Sequence, residues 1–379
     1  MFTLRGKTIF TGTDIIHDAA ITIDGTTITA VGSADEGEVV GEYPVITPAF
    51  IDAHSHIGLI RAGEPSAEAE ANEHMESMLA HADVLDSLQM DDKGFKDSIE
   101  AGILYSCVLP GSGNIIGGNS AVIRNYGTNS NTAFIRRAGI KAAFGYNPMS
   151  TRDWKGQRPY TRMGALAILR AKLHDVKAKM AKEAAKEDAD VTYTAEEMVM
   201  KAILEGKERL RVHVHKADDI AALLRFVDEF DLKVTVEHTM DVHDVEPYQA
   251  LKAHGIPVVY GPLDSLAYKV ELKHEDWRNV KFLLESGVEF GLMTDHPVIM
   301  QKTLLFTLRH FLRCGYTKTQ ALGVITASNA RILGVDDVLG TLEPGKWGSV
   351  VCWNGDPFSM ESYPVAVYAE GKLIYQAEA

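Results

Sequence analysis

The chain has 379 residues, with 38 basic and 52 acidic side chains and a formal net charge of −14. That acidic balance repels phosphate backbones and anionic lipid surfaces, so neither nucleic acid nor membrane is an expected partner. Hydrophobic residues make up 46% and charged residues 24%, enough apolar surface to offset ordering entropy and exclude disorder as the main state.

Three cysteines, Cys107, Cys314 and Cys352, lie far apart and form neither a CxxC pair nor a disulfide framework. The opening MFTLRGKTIFTGTDIIHDAA lacks the basic start and apolar core of a signal peptide. No run reaches the ~18 apolar residues of a membrane span. The expected setting is cytoplasmic.

Taken in chain order, the first forty-odd residues show short alternating runs (TIFTG, AAITIDG, TITAVG) that predict short antiparallel strands. The last forty do the same in GSVVCWNGDP, VAVYAEG and KLIYQ. Between them eight strand-like apolar runs appear: 45–54, 102–111, 120–127, 139–147, 210–215, 232–238, 256–261 and 288–295. Helical spacing marks 219–229 and 303–313, and the Ala/Lys-rich stretch 164–209 predicts a helical insertion with a solvated charged face. Runs apolar on both sides and separated by helices suit a parallel sheet covered by helices. The expectation is an α/β fold: a (β/α)8 TIM barrel over 48–335, with a small β-sandwich built from both termini, 1–47 and 336–379. An open doubly wound sheet is the alternative that periodicity alone leaves standing.

His54 and His56 close the first run. Two apart in a strand, they share a face and stand about 6.6 Å apart, within reach of one cation at the end of a barrel strand, where barrel sites are built. An HxH pair by itself reads equally well as two hydrogen-bonded polar residues. The run LRVHVH repeats the device with His213 and His215, VEHT ends the next strand on His238, and LMTD ends the last on Asp295. Four core strands that each stop on a histidine or aspartate predict a shared metal, because such side chains are costly to bury unless paired or ligated.

The stretch TPAFIDAHSH resembles the opening metal motif of the amidohydrolase superfamily, and ITASNARILGVDDVLGTLEPGKWGSVVCWNGDPF resembles its closing segment. GSGNIIGGN, NPMSTRDW, TRMG and HVHKADDI look most like the imidazolonepropionase-like members. The resemblance implies that His54, His56 and Asp295 hold one divalent metal and that His213 and His238 hold a second, or touch a shared ion or the substrate. His215 would be a substrate contact or a prop for the ligands, and spacing leaves open which of His213 and His215 ligates. Zinc is the expected metal, one or two per chain, with manganese or iron as alternatives.

Lys141 lies inside the apolar strand GIKAAFGY, where a buried ammonium prefers to lose its charge. The resemblance implies carboxylation to a metal-bridging carbamate; snorkelling to solvent is the alternative. The Lys141–Tyr146 spacing resembles dihydropyrimidinases, in which such a tyrosine steadies an oxyanion, whereas imidazolonepropionase-like sequences carry glutamate at that place. Softer candidates are Asn114, in a loop whose N–H groups could cradle substrate, and Arg152, Arg158 and Arg162, of which Arg162 is the chosen substrate clamp. Glu237 is expected to face outward, His296 to point elsewhere, and His74, His81, His174, His243, His254, His274 and His310 to play no part.

The expected chemistry is hydrolysis of a C–N bond in a small molecule, an amide or cyclic amide. Asp295 would be general acid/base, with His238 and Tyr146 polarising the carbonyl. Rivals are a mononuclear deaminase, a dipeptidase or prolidase-like activity, and a catalytically silent metal-binding protein. A homo-oligomer is expected, since symmetric dimers are the commonest assembly.

Overall fold

The computed structural model describes residues 1–32, 37–149, 158–185, 191–267 and 269–378. The chain opens with β1 (Phe2–Phe10), β2 (Ile15–Asp24), β3 (Thr27–Gly32) and β4 (Glu38–Pro48). Eight strands follow: β5 (Phe50–Ser55), β6 (Ile103–Val108), β7 (Ile116–Arg124), β8 (Phe134–Ala143), β9 (Leu210–Val214), β10 (Val234–His238), β11 (Val258–Tyr260) and β12 (Phe290–Leu292). It closes with β13 (Val350–Trp353), β14 (Pro364–Ala369) and β15 (Lys372–Gln376).

Strands β5 to β12 form one sheet in chain order. β5, β6, β9, β10, β11 and β12 are buried at every position, which is why each reads as a nearly continuous apolar run. The edges β5 and β12 curl together: Asp295 N–H donates to the His54 carbonyl at 3.1 Å, and His56 N–H to the His296 carbonyl at 2.9 Å. Asn329 locks the same seam. Its amide nitrogen donates to the Ile51 and Leu292 carbonyls (2.6 and 2.9 Å), and its oxygen accepts from Leu292 N–H at 2.9 Å. The eight predicted runs land on these eight strands, with one division: 45–48 belongs to β4 in the other sheet, and only 50–54 enters the barrel-like sheet.

One direction departs from eight parallel strands. β7 runs antiparallel to both β6 and β8. The β6–β7 connection spans only 109–115 and the β7–β8 connection holds a single short helix, Ser130–Ala133. A parallel crossover needs a dozen or more residues, so these links permit only a reversal.

The stretch 164–209 is more than a solvated insertion. It folds as helices Arg162–Ala185 and Ala195–Leu204, and Ala165, Leu169, Leu173 and Val176 form a buried stripe at three- and four-residue spacing that joins the main core. It serves as the crossover from β8 to β9.

Both ends of the chain share a sheet, as expected, but it is one continuous seven-stranded sheet in the order β15-β14-β13-β4-β1-β2-β3. Residues from both wings, among them Leu4, Ile21, Ile28, Val350 and Tyr368, pack into a single core beside it. Among the described residues no helix is long and apolar enough to cross a membrane.

Candidate active site

The site forms where the carboxyl ends of β5, β8, β9, β10 and β12 meet. The imidazole of His54 lies 5.2 Å from that of His56 and 4.9 Å from that of His238, ring centre to ring centre. His213 lies 4.3 Å from His238 and 4.6 Å from His215, and His215 lies 4.8 Å from His238. Asp295 Oδ1 is 3.1 Å from His56 Nε2 and 3.5 Å from His54 Nε2. One ligand atom from each of His54, His238 and Asp295 falls within 4.8 Å of the others, and the same holds for His213, His215 and His238.

Local backbone conformation brings these groups inward. His238, Thr239 and Asp295 adopt positive φ of 80°, 59° and 52°, uncommon for residues bearing a side chain. At the end of β10 this breaks the alternation of the strand, so Glu237 and His238, though adjacent, both reach the interior. Glu237 therefore does not face outward. It is fully buried, its Oε2 2.9 Å from His54 Nδ1 and its Oε1 3.0 Å from an Arg211 guanidinium nitrogen. The signal was present in the sequence: Arg211 and Glu237, like Lys141, are charges inside apolar runs.

The imidazole tautomers are set from behind. His56 Nδ1 faces the Leu109 carbonyl at 2.8 Å and His238 Nδ1 the Gly261 carbonyl at 3.1 Å, so each ring donates from Nδ1 and turns Nε2 toward the centre. Burial holds His54, His213, His215 and His238 well below the usual imidazole range, with neighbouring Lys141 adding to it, so all are neutral. Burial would raise the Asp295 carboxyl, but its close contacts with the His56 and His54 imidazoles outweigh this and hold it below the ordinary value.

Several buried polar atoms aimed at this centre have no hydrogen-bond partner: His54 Nε2, His238 Nε2, His213 Nδ1, His215 Nδ1 and Lys141 Nζ. Orphaned buried nitrogens are costly unless something electrophilic meets them. Neutral imidazoles with free lone pairs beside a carboxylate are the donor set of a divalent metal, and the residues fit one. Lys141 is wholly buried, as expected, and burial pushes its ammonium down to about 8 against the pull of Glu237 and Asp295. It does not snorkel.

Above this cluster opens a cleft of about 420 Å³. His56, His213 and Asp295 line its floor, Ile60, Leu266, Pro297 and Val298 an apolar wall, and Asn72, Ser112, Asn147 and Lys269 polar positions. Glu271, which the sequence reading missed, is completely buried beside it. Its Oε1 lies 3.3 Å from His213 Nε2, 3.9 Å from His215 Nε2 and 3.3 Å from the Lys269 ammonium. It sits in the irregular stretch between β11 and β12, where no periodicity marks an inward residue.

The softer candidates fare differently. Tyr146 is 37% exposed and meets the site through its backbone, whose N–H donates to Glu271 Oε2 at 3.1 Å. Among the described residues its hydroxyl makes no hydrogen bond. Asn114 is a brace: its amide nitrogen donates to the Glu73 and Glu76 carbonyls at 3.0 and 2.7 Å. Arg158 donates to the Gly113 and Glu73 carbonyls, strapping the same loop. Arg162 is engaged by the buried Asp219, Nε to Oδ1 at 2.7 Å. Arg152 lies outside the described residues. His296 turns away, its Nδ1 accepting from Gln301 N–H. His243 and His274 lie against each other beside Asp241.

A model of the amidohydrolase family matches residues 45–374. The chain belongs to the amidohydrolase family. An amidohydrolase from Thermotoga maritima MSB8 superposes with a TM-score of 0.92 at 30% identity, all of each chain being covered. A prolidase complexed with N-methylphosphonate-L-proline (TM-score 0.65, 16% identity, 99% of this chain and 100% of that one) shares the fold. The curated relative amidohydrolase tasK of Hapsidospora irregularis is 23% identical over 352 residues, 86% of this chain; the chain spans 36% of that protein's length.

Proposed function

We propose that this amidohydrolase uses one or two divalent metal ions, zinc foremost, to hydrolyse an amide or cyclic amide bond of a small molecule. The observation that carries the reading is the convergence of His54, His56, His238 and Asp295 at the mouth of the sheet, with free nitrogen lone pairs aimed at one centre. His54, His56 and Asp295 would hold one ion, His213 and His238 a second, and carboxylated Lys141 would bridge them. Bound metal supplies hydroxide near neutral pH by lowering the pKa of water from 15.7 toward about 7.

The rest falls to the protein. Asp295, ionised and at the cleft floor, accepts a proton from the attacking water and returns it to the leaving nitrogen. His238, its Nδ1–H held by the Gly261 carbonyl, keeps its Nε2 lone pair on the centre. Lys269, on the cleft wall, offers a cation to a substrate carboxylate. That placement, together with structural neighbours described as a prolidase and a Xaa-Pro dipeptidase, favours a dipeptide or N-acyl amino acid as a second reading of the substrate.

The test is Asp295→Asn, assayed against a panel of cyclic amides, N-acyl amino acids and dipeptides with metal content measured in parallel. The variant is expected to keep its fold and most of its metal while losing at least ~100-fold in turnover, the scale of general acid/base catalysis. Near-normal turnover would refute the proton role. One metal per chain in the native protein would favour deamination, and two would favour the dinuclear amidase.

A further inference from the structure

A second set of ligand-type side chains stands apart from the site described. Asp241 and His243 follow β10, and His274 lies in the segment after β11. One ligand atom from each falls within 4.8 Å of the others. Asp241 is 2% exposed, whereas both histidines reach solvent. The imidazoles of His243 and His274 lie 4.3 Å apart at 41°. His243 Nδ1 faces the Asp241 carbonyl at 2.8 Å, which sets that nitrogen as the donor and leaves Nε2 as the free lone pair.

The contact between His274 Nδ1 and Asp241 Oδ2 is 3.3 Å, long beside the 2.7–2.9 Å usual for a charge-assisted hydrogen bond. It matches the edge of a tetrahedron whose ligands sit ~2.0–2.1 Å from zinc, which is about 3.3 Å. The other carboxylate oxygen accepts the backbone N–H of His274 at 2.5 Å and so holds the carboxylate in place. Two imidazoles and one carboxylate select a borderline cation such as zinc, cobalt or nickel over magnesium or calcium, which prefer all-oxygen sites.

We propose that Asp241, His243 and His274 form a peripheral site for a borderline divalent cation, which ties the segment carrying Lys269 and Glu271 to the loop after β10. Lys269, which lines the catalytic cleft, and Glu271, buried against His213, lie five and three residues before His274. An ion at the peripheral site would restrain the cleft wall without touching substrate.

Zinc alone is the probe. After exhaustive chelation, the wild-type chain and His243→Ala are equilibrated with zinc by dialysis and their bound zinc is counted by elemental analysis. Backbone hydrogen exchange over 269–276 is followed with and without the ion. The wild type is expected to hold one zinc more per chain than the variant, and zinc is expected to slow exchange in that segment at least threefold more in the wild type. Asp241→Asn should lose the same equivalent. Equal zinc counts in wild type and His243→Ala would overturn the proposal. Loss of hydrolytic turnover together with the missing zinc would also overturn it, by assigning that ion to the main site.

Discussion

Glu237 and His54, 183 positions apart, meet at 2.9 Å in an interior where neither has any solvent exposure, and Arg211 holds the carboxylate from its other side. A carboxylate behind a ligating imidazole fixes its tautomer and raises its basicity. Glu237→Gln preserves size but weakens that polarisation, so metal affinity should fall about 10–100-fold in a chelator-competition titration. Glu237→Ala should cost more, ~3–5 kcal/mol in urea unfolding, because it leaves the Arg211 guanidinium buried without its counter-charge. Wild-type affinity in the glutamine variant would remove Glu237 from the metal-supporting role.

Lys141 makes a pH-dependent prediction for the metal-free chain. Its amine has no hydrogen-bond partner, and burial lowers its pKa from 10.5 to about 8 in the folded state. Below about 8 both folded and unfolded chains hold the proton, and the folded one bears the full cost of a buried ammonium. Between there and 10.5 only the unfolded chain remains protonated, so native stability rises with pH. Replacing the amine with a thioether should therefore stabilise the apoprotein at neutral pH by about 3 kcal/mol, at 1.36 kcal/mol per pKa unit, and the gain should fade by pH 10. Urea midpoints of wild type and Lys141→Met across pH 6.5–10 test this; parallel curves would show that the ammonium finds a partner.

The same amine, neutral above about 8, is the form that can add carbon dioxide. Reactivation of chelated enzyme by zinc should therefore be faster with bicarbonate at pH 8.5 than at pH 6.5, and Lys141→Met should lose the bicarbonate effect altogether. Bicarbonate-independent recovery would exclude the carbamate.

At the barrel seam, a Cβ added to Gly291 would lie 2.0 Å from Asn329 Oδ1, the oxygen that accepts the Leu292 N–H. Asn329→Ala removes three buried hydrogen bonds and should destabilise by about 3 kcal/mol. Gly291→Ala should do comparable damage by displacing the same amide. In combination the two should cost clearly less than their sum, because they disable one device. Additive effects in thermal or urea unfolding would separate the residues.

Asn114 braces the loop bearing Asn72, which lines the cleft. Asn114→Ala should raise KM several-fold with kcat changed less than twofold, since the brace touches no ligand. An equal fall in kcat and kcat/KM would instead give Asn114 a transition-state contact.

Hydrophobic periodicity and strand-terminal polar residues placed much of this site. Apolar runs ending in His54, His56, His213, His215, His238 and Asp295 carry their own instruction, because a core strand cannot tolerate such endings without a common purpose. Three other features were settled only by the folded chain. The reversal of β7 follows from connection length and pairing, which apolar runs do not encode. The inward turn of Glu237 follows from positive φ at His238 and Thr239, which overrides alternation. Glu271, Asp241 and His274 come from irregular segments, where side-chain direction depends on what the loop packs against. Local physics specifies which residues must be buried; long-range packing decides which of them meet.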